Sequence, residues 1–277
     1  MNLHCLIGLI VCSPLTPAPE KFFLEDRHAE VIPSASELLS EMNPKAGKER
    51  EEQILAWLDK GFWPRYQSRF KPIQVIEGGH TLIYWVSADY LRLGSDADSV
   101  LIPLAWPAVR TLAARWQMLL PTAKMVDQIY QQSERVYWPH AYPATDAMSD
   151  TAVFSEHSEW VKERQGFDLY DFPLVAGHKK DLVASVRLLD KPEKLAIYGW
   201  HNLGNGTAIQ PQSLWHADFY VDYSHGVRLV APIAQLDGKS ILLATLLKDT
   251  NLSRLVSFEG AYDICAVLRY ACNDGKD

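Results

Sequence analysis

Residues 214–230 read LWHADFYVDYSHGVRLV, and the fold turns on how they are read. Aromatic and β-branched residues dominate, which predicts strands over Phe219–Tyr223 and Val227–Ile233. Working outward, further strands are predicted over Leu182–Leu189, Leu195–Trp200 and Ser240–Leu247, with Gly204-Asn205-Gly206 and Asp237-Gly238 as the turns between them.

The first half has a different period. Lys48 to Phe62 carries Ile54, Leu55, Trp57 and Leu58 behind an acidic opening, the pattern of an amphipathic helix. Val109, Leu112, Ala113 and Trp116 recur at helical spacing within residues 106–119. A second helix is predicted after Thr122, a side chain suited to an N-cap. Pro72 to Ser87, PIQVIEGGHTLIYWVS, reads as two strands around Gly78-Gly79. Residues 141–152 collect Pro, Asp, Ser and Thr without periodicity and read as a loop, with a short helix over Ser155–Arg164 beyond it. The expectation is an α+β fold: a helical first half packed on a strand-rich, mainly antiparallel second half. The divisions are a signal segment at 1–18, a mainly helical part with a small hairpin at 19–152, and a strand-rich part at 153–277. The helices need an apolar partner that the sheet can supply, so the last two parts can form one domain.

The net charge of −7 argues against nucleic acid as the main partner, since that requires a basic surface. Residues 3–12, LHCLIGLIVC, form an apolar run of signal-core length followed by small residues and prolines, although no Lys or Arg precedes it. The run is too short to span a bilayer, so secretion or periplasmic export is expected without a stable membrane span. Removal of the signal leaves Cys265 and Cys272. On a continuous helix they stand about 10 Å apart, too far for a disulfide, and they are expected as small buried apolar residues unless the segment is not helical.

Chemistry concentrates around His178, His201, His216 and His225, because histidine alone titrates near neutral pH unperturbed. His201, His216, Asp222 and His225 are the expected catalytic residues. The same four are the candidate ligands of a zinc ion, as their side-chain types suit a tetrahedral site. The spacing His216-x5-Asp222 resembles the His-x6-Asp of zinc peptidases that cut peptidoglycan stems. It is one residue short and lacks the flanking Ser and Gly pattern, so no family membership follows. Without metal, His216 or His225 moves the proton and Asp222 orients an imidazole. Ser224 lies outside any Gly-x-Ser-x-Gly elbow.

The expected binding residues are His178, Lys179, Lys180, Gln210, Tyr223, Ser224 and Arg228. Gly177-His178-Lys179-Lys180-Asp181 enters a strand as a solvated turn, its two ammonium groups suited to a carboxylate, sulfate or phosphate. Tyr198, Trp200 and Trp215 offer rings on which a sugar can stack, and residues 137–142 (YWPHAY) can line the same cleft. The functional expectation is an exported hydrolase of an extracellular polymer, peptidoglycan peptide or glycan favoured. The alternative is a non-catalytic module that binds a glycan or anionic polymer.

Overall fold

The computed structural model describes residue 24 and residues 27–165 and 172–272. The expected signal segment lies outside the described residues. Along the chain come α1 (Ala35–Glu41), α2 (Lys48–Asp59), β1 (Phe70–Glu77), β2 (His80–Ser87), β3 (Arg92–Gly94), β4 (Ser99–Leu101), α3 (Trp106–Trp116), α4 (Ala123–Gln132) and β5 (Arg135–Val136). Then follow α5 (Thr151–Gln165), β6 (Val175–Ala176), β7 (Lys180–Leu182), β8 (Ile197–His201), β9 (Ala208–Ser213), β10 (His225–Gly226), β11 (Val230–Leu236), β12 (Lys239–Leu242), α6 (Leu243–Lys248) and α7 (Ile264–Leu268). The α+β class is borne out, with helices concentrated in the first half and the sheets mostly antiparallel.

Local chemistry sets the helix starts. Ser34 and Glu37 close a capping box on α1, and Thr122 Oγ1 accepts the Met125 amide at 3.2 Å to start α4. Gly78 and Gly79 take φ of 61° and 83°, which a two-residue hairpin turn of this hand requires. They hold β1 and β2 in unbroken register from Phe70 opposite Ser87 to Glu77 opposite His80.

Two four-stranded sheets organise the rest, in the orders β1-β2-β11-β12 and β10-β7-β8-β9. In the first, β11 from the second half of the chain pairs with β2 from the first. One hydrophobic cluster runs from Leu38 and Trp57 through Leu112 and Val126 to Leu182, Val230 and Leu268.

Several strands differ from expectation. Phe219–Tyr223 is irregular, with turns at Phe219 and Tyr223, because the Asp222 carboxylate accepts the Ser224 amide at 2.6 Å and draws the chain away from a ladder. Past Leu182 the chain leaves the sheet, and Ser185 caps a single 3-10 turn over Val186–Leu188. The predicted strand at 240–247 becomes helix α6 after Leu242. Helix α5 begins at Thr151, four residues before the predicted start. Cys265 and Cys272 form a disulfide with Cα atoms 5.7 Å apart. The expectation that they stand unpaired is corrected by the end of α7 at Leu268, where Arg269 adopts φ 58° and turns the chain back. Among the described residues, no helix is long and apolar enough to cross a membrane.

Candidate active site

A glycine sets how closely the site is built. β10 lies parallel to β7, with His225 opposite Lys180 and Gly226 opposite Asp181. A Cβ on Gly226 would stand 2.5 Å from Tyr90 Cδ1 and 2.8 Å from Lys179 Cβ, so a larger residue would force these groups apart.

Three of the four residues expected to act together meet here. Asp222 Oδ2 lies 3.6 Å from His225 Nε2, and the His216 and His225 ring centroids are 6.0 Å apart. Asp222 is held by its own turn. Its Oδ1 also accepts the Ser224 hydroxyl, and its Oδ2 accepts the Tyr220 hydroxyl at 3.2 Å. Tyr220 in turn stacks on His216 at 4.0 Å.

His225 is buried, and neither of its ring nitrogens has a hydrogen-bond partner among the described residues. Burial pushes its pKa down to about 4, against the pull of Asp222. Burial also lowers that of half-buried His216. Both imidazoles are therefore neutral at pH 7 and able to accept a proton. Burial acts to raise the Asp222 pKa, but His225, Ser224 and Lys180 outweigh it and keep the carboxyl below its ordinary value.

His201 takes a different partner. Its Nε2 lies 2.9 Å from Asp127 Oδ1, its ring stacks on Tyr130 at 4.2 Å, and the Tyr198 hydroxyl donates to the same carboxylate at 2.9 Å. Among the described residues, no group of three or more His, Cys, Asp and Glu side chains is arranged to hold a metal ion.

The 178–181 segment corrects the expectation of a solvated turn. Lys179 is 2% exposed. Its Nζ lies 3.2 Å from His157 Nδ1 and donates to the Tyr223 carbonyl. The parallel pairing with β10 carries Lys179 inward, and burial depresses its pKa to about 7. His178 is likewise buried, 3.8 Å from Asp89 Oδ1, with its pKa lowered to about 3 chiefly by burial. Half-buried Lys180 instead lies over the Trp200 ring, 4.3 Å from its centroid.

Arg228 is not a surface anion clamp. It is fully buried and donates to the Ser87 and Val175 carbonyls, both at 2.6 Å. It lies over the Tyr90 ring at 4.3 Å, with its Nε 3.7 Å from Asp181 Oδ1. Burial raises the Asp181 pKa to about 6, although Arg228 and the Tyr90 hydroxyl at 2.8 Å oppose the rise. Tyr223 Oη accepts the Tyr142 amide at 2.7 Å. Gln210, on β9 opposite Gly199, donates its amide to the Pro211 carbonyl and makes no hydrogen bond to this cluster.

Sequence reading missed Asp89, Tyr90, Arg92, His157 and Asp127. The segment from the end of β2, Ser87-Ala88-Asp89-Tyr90-Leu91-Arg92, carried a usable signal: opposite charges three apart among apolar residues, which here form a buried ion pair of 3.1 Å. The aromatic stretch 137–142 does pack against the cluster. Tyr137 meets His178 edge-on at 5.6 Å, and His140 stacks on Trp160 at 4.2 Å, beside His157. Compared with known proteins, the chain matches no family model, no curated protein and no solved structure.

Proposed function

We propose that the chain is an exported hydrolase of an extracellular polymer, peptidoglycan peptide or glycan, working by acid–base chemistry at His216, Asp222 and His225. The observation that carries this reading is their convergence around a buried imidazole whose nitrogens have no hydrogen-bond partner among the described residues. In this reading Asp222 orients neutral His225, which takes the proton of the attacking water and then passes it to the leaving group, with half-buried His216 beside it. The apolar leader supports export, as does the Cys265–Cys272 disulfide, because such bonds persist in oxidising compartments. A non-catalytic glycan-binding module is the second reading, favoured by the exposed rings of Trp138, Trp215 and Phe219.

The test is release of new reducing ends or amino groups from purified peptidoglycan. Wild type should release them, and folded His225→Ala should be slower by about 100-fold or more, the usual contribution of a positioned acid or base. Zinc bound to wild type and lost in His216→Ala would replace the metal-free mechanism with a metal-assisted one. Full activity in a folded His225→Ala protein would end the catalytic reading.

A further inference from the structure

The rim of the site carries charge and aromatic surface that proton transfer does not use. Residues 214–220 form a turn pinned at three points: the Leu195 amide donates to the His216 carbonyl at 3.4 Å, the Trp106 amide to the Asp218 carbonyl at 2.8 Å, and Lys194 Nζ to the Trp215 carbonyl at 3.1 Å. On this braced turn Trp215 is 82% exposed and Phe219 74% exposed. They immediately precede the two members of the stacked His216–Tyr220 pair. Rings of this size are normally buried for their apolar area, so their display on a fixed turn calls for a partner.

Two cations face the same place. Lys180 stands opposite His225, whose ring lies 6.0 Å from that of His216, and Lys194 Nζ reaches the Trp215 carbonyl next to His216; both act against protonation of His216. Neither forms an ion pair among the described residues. Lys180 rests on the Trp200 ring, with Asp222 acting on it at longer range, while Lys194 reaches only a backbone carbonyl. Trp200 is held at φ 54°, a left-handed conformation that costs a bulky residue energy. It lies just past the shift in β8–β9 register between Ile197 and Gly199, and its indole N–H donates to the His178 carbonyl at 3.1 Å. The strained residue thus fixes the ring that seats Lys180.

Resting on the proposed hydrolase reading and deepening it, we infer that Trp215, His216, Lys180 and Lys194 form a subsite for a carboxylate-bearing saccharide at the mouth of the His225 centre. The apolar face of the sugar covers the exposed indole, and its carboxylate meets the two ammonium groups. A neutral glycan would stack equally well but give neither ammonium group an ion-pair partner. Duplex nucleic acid is disfavoured by the net charge of −7.

The experiment is calorimetric titration of the His225→Ala protein, which separates binding from turnover. The probes are a stem-free peptidoglycan tetrasaccharide with free lactyl carboxylates and a chitin tetrasaccharide of equal length without them. At low salt the acidic oligomer should bind about 10-fold tighter or more, and the advantage should shrink as salt screens the charges. Lys180→Gln/Lys194→Gln should remove that advantage and leave chitin affinity unchanged, while Trp215→Ala should weaken both ligands. Equal affinities, binding of neither oligomer, or a preference that survives the double lysine variant would overturn the inference. Preferential binding together with an inert wild type would instead retain the subsite and defeat the hydrolase reading.

Discussion

Replacing Arg228 with methionine is expected to destabilise the protein by about 3–5 kcal/mol, the usual cost of removing one partner of a buried ion pair. Methionine roughly fills the space but satisfies none of the arginine's contacts. The Ser87 and Val175 carbonyls each lose a donor held at 2.6 Å, and Asp181 loses the cation 3.7 Å away. Those carbonyls join the end of β2 to β6, so the loss falls where the two halves of the chain meet. Burial already raises the Asp181 pKa to about 6, and without Arg228 it should hold its proton at neutral pH. The urea midpoint measures the change. Arg228→Met/Asp181→Leu should recover part of the loss, because it removes the stranded carboxyl as well. A destabilisation below 1 kcal/mol for Arg228→Met would show that the arginine does not hold this junction.

The second large effect is acid destabilisation well above the range in which carboxylates protonate. His178 and His225 have pKa values lowered by burial to about 3 and about 4, and burial, then Lys179, pushes His157 down further. Each gains its proton near pH 6.5 when the chain unfolds but resists it when folded. The unfolded state therefore binds more protons below pH 6.5, and stability falls as pH falls towards 4. Asp181 acts in the opposite direction. Its folded pKa of about 6 lies above the unfolded value, so it stabilises the fold as pH drops from 6 towards 4 and offsets roughly one of the three histidines. Over the two units below pH 6.5 the net loss should be on the order of 3–5 kcal/mol. Denaturant titrations at pH 6.5, 5.5 and 4.5 measure it. A flat profile across that window would mean that these histidines are not buried as neutral groups.

How far the sequence could be read depended on whether the signal was local. The Gly78-Gly79 hairpin and the Thr122 cap were legible, because each is decided by φ angles or a side chain within three residues. Phe219–Tyr223 was misread because its aromatic composition suits a strand, whereas the Asp222 side chain competes for the backbone and makes a turn. The meeting of His216, Asp222 and His225 was foreseeable, since they lie within ten residues of sequence. The turn away from His201 to Asp127 was not, because that contact spans 74 residues. Lys179 was misplaced for a related reason. A Gly-His-Lys-Lys-Asp stretch looks solvated, and only the parallel pairing of β7 with β10 carries the first lysine inward beside His157. The disulfide went unrecognised because seven residues were measured along a helix that stops after Leu268.

The central claim, that His216, Asp222 and His225 act as one catalytic unit, requires Asp222 to work through His225, which is tested most directly by a double-mutant cycle in kcat/KM on the polymer substrate, using Asp222→Asn, His225→Ala and the combined variant. Asp222 is proposed to act only by orienting and polarising His225. Each single variant should therefore lose about 100-fold or more, and the combination should be no slower than His225→Ala alone. Losses that simply multiply, or a folded double variant with wild-type activity, would contradict the account.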